Sequence, residues 1–375
     1  MDGTQRSVDL KRLAPENVRR IAAYVPGKPI AETARELGLA EADILKMASN
    51  ENPLGPSPKA IAAIRGALDE LHYYPDGSGH DLKQLVSRKL GLRPGNLILG
   101  NGSNDVLELV ARAFMTRDDS AVYSRHAFMV YPLVVLAIGA TGIEVPARDY
   151  GTDLAAMERA IRPDTKIVFL ANPNNPTGTF TPWREIEAFL GRVRRDLLVV
   201  VDEAYGEYLP DDLQSPTQRW LERHPNLVVS RTLSKAYGLA GLRVGFGFAH
   251  PDVADLMNRV RQPFNVNHLA MVAACAALED AEFIARSRDV NAAGLRQLEA
   301  GLRRQGLEFI PSHGNFITFR VADAPRVYDA LLRQGVIVRP IAGYAMPEHL
   351  RVTVGLPEQN ERFLASLERA LAAKR

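Results

Sequence analysis

A single cysteine, Cys275, in 375 residues leaves no intrachain disulfide and no multi-cysteine zinc or iron–sulfur site. Charge of one sign is not in excess either: 46 Lys and Arg stand against 44 Asp and Glu. A net charge of +2 sets up no field to draw nucleic acid or an anionic membrane surface, so neither is an expected partner. No apolar run approaches the roughly 18 residues that a membrane-spanning helix needs. Met1 to Arg12 carry no apolar segment of a secretory signal, and cytoplasmic residence is the expectation. The eight histidines show no metal-ligand spacing, and no metal is expected. His126 and His313 read as structural. Cys275 sits in the run Ala273-Ala274-Cys275-Ala276-Ala277 and reads as a buried small residue. Repeats of fixed period and low-complexity tracts are also missing.

What remains is a globular chain of ordinary apolar content, 46%, long enough for two domains. Short β-branched runs alternate with helical stripes, the pattern of βαβ units on a parallel sheet. Leu97 to Leu99, Ala121 to Tyr123, Lys166 to Leu170, Leu197 to Val201 and Leu227 to Ser230 read as strands. The runs at 166–170 and 197–201 are apolar nearly throughout, as strands covered on both faces are. Val106, Leu109, Val110, Ala113 and Phe114 recur at helical spacing after Asn101-Gly102-Ser103-Asn104. From about residue 286 the texture changes. A long helical stretch leads to Asn315 to Val321, Val336 to Val338 and Leu350 to Val354, with further helices. The expected class is α/β. An N-terminal arm spans 1–46, a large domain 47–285 and a smaller α+β domain 286–375.

Polar residues gather where the strands end, the place where ligands bind in open parallel sheets. Strand 97–99 runs into a glycine-rich helix start at Gly102, Ser103 and Asn104, whose free amides and dipole suit a phosphate. Thr232 and Ser234 add hydroxyl donors, and Arg243 a fork-shaped cation. Lys235 is an amine that can form a Schiff base with an aldehyde. Asp202 can pair with a protonated pyridine nitrogen, and Tyr205 and Asn175 can hydrogen-bond a phenolic oxygen. A phosphorylated, aldehyde-bearing hydroxypyridine answers all of these groups at once. That description is pyridoxal 5′-phosphate, which needs a lysine and an acidic partner.

With those residues in view, the chain resembles the fold-type-I pyridoxal-phosphate aminotransferases, and within them the histidinol-phosphate aminotransferase family. The matching segments run in order along nearly the whole chain. They are Tyr24-Val25-Pro26-Gly27, the Ala48 to Pro58 loop, Tyr74-Pro75-Asp76, Asn174 to Gly178, Asp202 to Tyr205, Thr232 to Lys235 and Leu350 to Gly355. The resemblance implies a large domain with a mostly parallel, seven-stranded sheet between helices, plus a smaller α+β domain. It implies Asp202 at the pyridine nitrogen, Tyr205 and Asn175 at the phenolic oxygen, Lys235 as proton shuttle and Phe128 over the ring. Tyr74 matches a residue that reaches the phosphate in the neighbouring subunit, which implies a homodimer with shared active sites. Arg351 matches the arginine that grips the substrate carboxylate. Tyr24, Asn50 and Arg339 match positions near the substrate, Arg339 toward the substrate's own phosphate. Tyr73 stands where many relatives have Arg, and Phe128 where Tyr is frequent. The segment Arg261-Gln262-Pro263-Phe264-Asn265-Val266-Asn267 looks like a feature of one branch and takes no role.

The implied reaction is transfer of an amino group from L-histidinol phosphate to 2-oxoglutarate, giving imidazole-acetol phosphate and glutamate. Aromatic amino-acid transamination is the alternative, followed by a lyase like threonine-phosphate decarboxylase. A non-catalytic, cofactor-dependent regulator has no support, because no DNA-reading module is present and Lys235 is. Lys235 must be neutral to act as base, so a lowered pKa is expected from desolvation and neighbouring cations.

Overall fold

The computed structural model describes residues 9–23 and 27–372. Seven strands form one sheet, in the spatial order Leu97–Gly100, Gly245–Ala249, Leu227–Thr232, Leu198–Asp202, Thr165–Ala171, Ser120–Ser124, Thr141–Val145. Pairing is parallel throughout the five strands from Leu227–Thr232 to Thr141–Val145. Gly245–Ala249 alone runs antiparallel to both neighbours. The architecture is thus α/β with a mostly parallel seven-stranded sheet, as expected.

Successive side chains of a strand point to opposite faces. Val199 and Val201 enter one apolar cluster, and Leu198 and Val200 the other. Leu97 and Leu99 are separated from Ile98 in the same way. Helices Pro58–Gly66, His80–Leu90, Trp183–Arg192 and His268–Leu278 cover the first face. Ser103–Phe114, Val130–Ile138 and Pro251–Val260 cover the second. With both faces dry, these strands carry apolar residues continuously, which is why they are legible in the sequence.

Two strands escape that reading. Thr141–Val145 is a largely exposed edge strand without an apolar run. Gly245–Ala249 reads Gly-Phe-Gly-Phe-Ala, and glycine is a poor strand former. Its glycines are needed for close packing. A Cβ at Gly245 would lie 2.7 Å from the Ser103 nitrogen, and one at Gly247 would lie 2.6 Å from Val106 Cγ1. The helix Ser103–Phe114 therefore rests directly on this strand.

A second, antiparallel sheet orders Arg339–Pro340, His349–Thr353, Phe316–Arg320 and Phe309–Ile310. Ala324–Leu332, Pro357–Ala372 and part of Ala281–Arg304 pack on it around Leu298, Phe319, Phe363 and Leu367. The long helix Ala281–Arg304 runs through the boundary expected at 285/286. Leu45–Lys46 pairs in parallel with Val336–Ile337, so the end of the N-terminal segment is stitched to this smaller unit. Cys275 departs from expectation: it is half-buried, not buried. Its helix turns Ala270, Ala273, Ala274 and Ala277 to the core and leaves Cys275 in the wall of a hollow beside Tyr74 and Met271. Desolvation pushes its thiol up to about 11. Among the described residues no helix is long and apolar enough to cross a membrane.

Gly294 lies where the long helix meets the turn after His349–Thr353. An added Cβ there would sit 2.3 Å from Val354 Cγ1 and 3.0 Å from Asn360 Nδ2. Alanine would gain about 1 kcal/mol of helix propensity. Overpacking against a β-branched side chain and a fully buried amide costs about 1–3 kcal/mol. Gly294→Ala is expected to be net destabilising by about 1 kcal/mol, measured by urea unfolding. A more stable variant would show that the contact yields freely.

Candidate active site

Four of the parallel-sheet strand ends, together with the end of the edge strand Leu97–Gly100, open on one cavity of about 180 Å³. Asp202 closes the strand Leu198–Asp202, and Tyr205 follows on the turn after it. Thr232 ends Leu227–Thr232, with Ser234 and Lys235 just beyond. Asn175 lies in the loop after Thr165–Ala171, and Phe128 in the loop after Ser120–Ser124. Ser103 and Asn104 start the helix after Leu97–Gly100. All of these line the cavity, together with Arg243, Asn50, Arg339 and Arg351. Gly102 lies beside it with φ of 82°, and a Cβ there would sit 2.5 Å from Arg243 Nη2. Among the described residues, Tyr74 is also not part of this wall. Tyr74 is 83% exposed and stacks on Phe264 at 4.8 Å. Tyr24 lies outside the described residues.

Asp202 is buried, and desolvation raises its carboxyl to about 6 against a lowering hydrogen bond from Tyr131. The Tyr131 hydroxyl donates to Oδ2 at 3.0 Å. Oδ1 is buried and has no hydrogen-bond partner among the described residues. A carboxylate oxygen in that state is costly unless a donor meets it, which suits a ligand bearing a cationic N–H. Tyr131 was missed in the sequence. Its signal is a lone hydroxyl in the otherwise apolar helix Val130–Ile138, since buried tyrosines usually find a partner.

Lys235 is half-buried, and its Nζ donates to the Ser49 carbonyl at 3.0 Å. Desolvation lowers its amine to about 8, helped by Arg351 and Arg243. The expected direction and causes are both present. Tyr205 is raised to about 12 by burial, and its hydroxyl accepts from Asn50 Nδ2 at 2.8 Å. Arg351 is buried over the Phe316 ring, donating to Asn175 Oδ1 at 2.5 Å and to the Ala48 carbonyl at 2.8 Å. Arg243, with φ of 57°, donates from Nη1 to Ser234 Oγ at 3.2 Å. His126 bonds the Tyr344 carbonyl at 2.7 Å, a structural contact.

One end of the cavity thus offers a helix N-terminus, hydroxyls and a guanidinium, a donor set for phosphate. The same lining offers a buried acceptor, Asp202 Oδ1, and an amine of lowered pKa, Lys235. This set fits pyridoxal 5′-phosphate.

Comparison with known proteins agrees. The family model "Aminotransferase class I and II" matches residues 42–367. The chain is 58% identical to histidinol-phosphate aminotransferase 2 of Nitrosospira multiformis, over 96% of this chain and 92% of that protein. It is 59% identical to histidinol-phosphate aminotransferase 1 of Thiobacillus denitrificans, over 96% and 94%. Its fold is similar to the crystal structure of histidinol-phosphate aminotransferase from Sinorhizobium meliloti in complex with pyridoxal-5′-phosphate. There the TM-score is 0.86 at 27% identity, covering 95% of this chain and 96% of that one. It is also similar to Thermus thermophilus aspartate aminotransferase, solved as a single mutant, at a TM-score of 0.83. The chain belongs to the class I and II aminotransferases, and within them to the histidinol-phosphate aminotransferase family.

Proposed function

We propose that the protein is a pyridoxal 5′-phosphate-dependent aminotransferase of histidine biosynthesis, moving the amino group of L-histidinol phosphate to 2-oxoglutarate. The observation that carries this reading is the joint placement of Lys235, the unpartnered Asp202 Oδ1, and Arg243 beside a helix start in one cavity. The names of the relatives support histidinol phosphate as the amino donor.

Bound in this pocket, the cofactor supplies an aldehyde that links to amines and a ring that draws electrons from the adjacent carbon. Gly102, Ser103, Asn104, Thr232, Ser234 and Arg243 would hold its phosphate. Asp202 Oδ1 would accept from the ring nitrogen, and a cation there would draw the carboxyl back toward its ionised form. Asn175 and Tyr205 would meet the phenolic oxygen, and Phe128 would cover the ring. Lys235 Nζ, neutral in part near pH 7, would take the proton from the substrate α-carbon and deliver it to the carbon that bore the cofactor's aldehyde. At a pKa of about 8, roughly a tenth of the amine is neutral at pH 7; at 10.5 it would be well under one part in a thousand. Arg351 and Arg339 line the cavity and would bind the substrate carboxylate and phosphate. Asn50 holds Tyr205 in place.

A homodimer with shared sites accounts for the exposed cluster of Leu71, Tyr73, Tyr74 and Phe264, with Tyr74 reaching the partner's cofactor. Glutamate and 2-oxoglutarate are soluble metabolites, and we place the protein in the cytoplasm on that ground.

Three outcomes are expected. Glutamate forms faster from histidinol phosphate and 2-oxoglutarate than from phenylalanine or tyrosine, without CO₂ release. Faster turnover of an aromatic amino acid, or CO₂ as main product, overturns the substrate assignment. The rate of pyridoxal phosphate uptake by cofactor-free protein, followed by absorbance, rises with pH with a midpoint near 8, because only the neutral Lys235 amine reacts. A midpoint near 10 would contradict the lowered pKa. Tyr131→Phe removes a bond that lowers the Asp202 pKa, so that pKa rises further. Turnover is expected to fall about tenfold, with the acid limb of the pH profile moved to higher pH. Unchanged turnover and limb would deny Tyr131 this part.

A further inference from the structure

The segment 261–267 received no role from the sequence, yet it touches three separate pieces of the cofactor end of the site. Leu97–Gly100 is the edge strand of the large sheet, so one row of its carbonyls has no strand neighbour. Asn265 Nδ2 takes that place, donating to the Leu99 carbonyl at 3.0 Å. It also donates to Asp105 Oδ2 at 2.7 Å, and the same oxygen accepts the Asn101 backbone N–H at 2.9 Å. Leu99, Asn101 and Asp105 bracket the turn whose amides open the helix at Ser103. That turn is tight, since a Cβ on Gly100 would lie 2.7 Å from the Gly102 carbonyl. A single amide thus holds the strand end and the first helical turn in fixed relation.

The other members extend the hold. Asn267 Nδ2 donates to the Leu242 carbonyl at 3.1 Å, next to Arg243 in its left-handed conformation. Arg261 Nη1 donates to Asn265 Oδ1 at 2.6 Å and fixes the orientation of that amide, while Nη2 reaches the Gly77 carbonyl at 2.8 Å. Phe264 stacks on Tyr74. None of these residues lines the cavity.

We propose that the segment 261–267 is a clamp on the phosphate end of the cofactor site, with Asn265 as the positioning residue that sets affinity for the phosphate. The proposal rests on the pyridoxal-phosphate reading above. Anion binding by backbone amides depends on their common direction, and a turn free to rock loses that convergence. The aldehyde and ring end of the ligand does not use this turn.

The test compares binding of pyridoxal phosphate with that of pyridoxal, which lacks the phosphate, to cofactor-free protein. Asn265→Ala is expected to weaken pyridoxal phosphate about tenfold, the loss of roughly one hydrogen bond to a charged group, and pyridoxal less than twofold. Asn96→Ala is the comparison. Asn96 Nδ2 donates to the Ala249 carbonyl at 2.7 Å, at the other end of this strand pair from the turn, so its loss is expected to lower the melting temperature and leave the ratio of affinities unchanged. Equal weakening of both ligands by Asn265→Ala, or no weakening, overturns the clamp. Wild-type protein that binds pyridoxal phosphate no better than pyridoxal overturns the cofactor reading itself, a separate result.

Discussion

Lys235 and Asp202 share one cavity, and burial drives their pKa values toward each other, to about 8 and about 6. A direct ion pair would satisfy both and leave neither for chemistry. The two are held on different partners instead. Asp202 Oδ2 takes the Tyr131 hydroxyl, and Lys235 Nζ takes the Ser49 carbonyl. Arg351 and Arg243 then weigh against the protonated amine, while the helix start beside Arg243 favours an anion. Much of the remaining structure serves to keep that arrangement dry and fixed. Six of the seven strands bury their bodies between two helical layers, while the edge strand Thr141–Val145 stays largely exposed.

The loop after Lys46 joins the two sheets across the cavity. Met47 exchanges backbone bonds with Ile337 and Thr353, and its neighbour Ala48 accepts from Arg351. Asn50 adopts a left-handed φ of 56°, donates from its backbone to Thr353 Oγ1 at 2.9 Å and from its side chain to Tyr205. Asn52 reaches the Ala236 carbonyl at 2.8 Å, one residue past Lys235. The smaller unit therefore bears on the reactive groups through a short, heavily bonded segment. Strain at Asn50 is tolerated because bonds on both sides fix it.

Behind the site lies a second polar layer. Glu203 is fully buried, takes Arg231 at 2.7 Å and accepts from Ser215 and Thr217. It ties the Asp202 turn to the strand that leads to Lys235. A buried carboxylate with all these donors is satisfied, which rigidifies the two strand ends relative to each other. Asp202, its neighbour in sequence, is left with one oxygen open. The contrast between adjacent acids separates scaffold from chemistry.

The sequence by itself determined the sheet class, because strands dry on both faces must be apolar throughout and so stand out as Lys166 to Leu170 and Leu197 to Val201. It also pointed to the polar groups that line the cavity, because Lys235, Asp202, Tyr205, Asn175 and Arg243 lie in loops beyond strand ends, and strand ends of a parallel sheet face one edge. Only the tertiary structure decided the rest. Gly245–Ala249 is a strand because a helix presses on its glycines, a contact that no local propensity encodes. Tyr131 meets Asp202 across 71 residues, and Asn265 meets Leu99 across 166, as products of packing. Tyr74 carries a strong local motif yet lies outside its own chain's pocket, because its turn projects outward on Phe264. Local pattern names a residue's chemistry; which groups share a dry cavity, and with what pKa, follows from long-range contacts that sequence spacing does not contain.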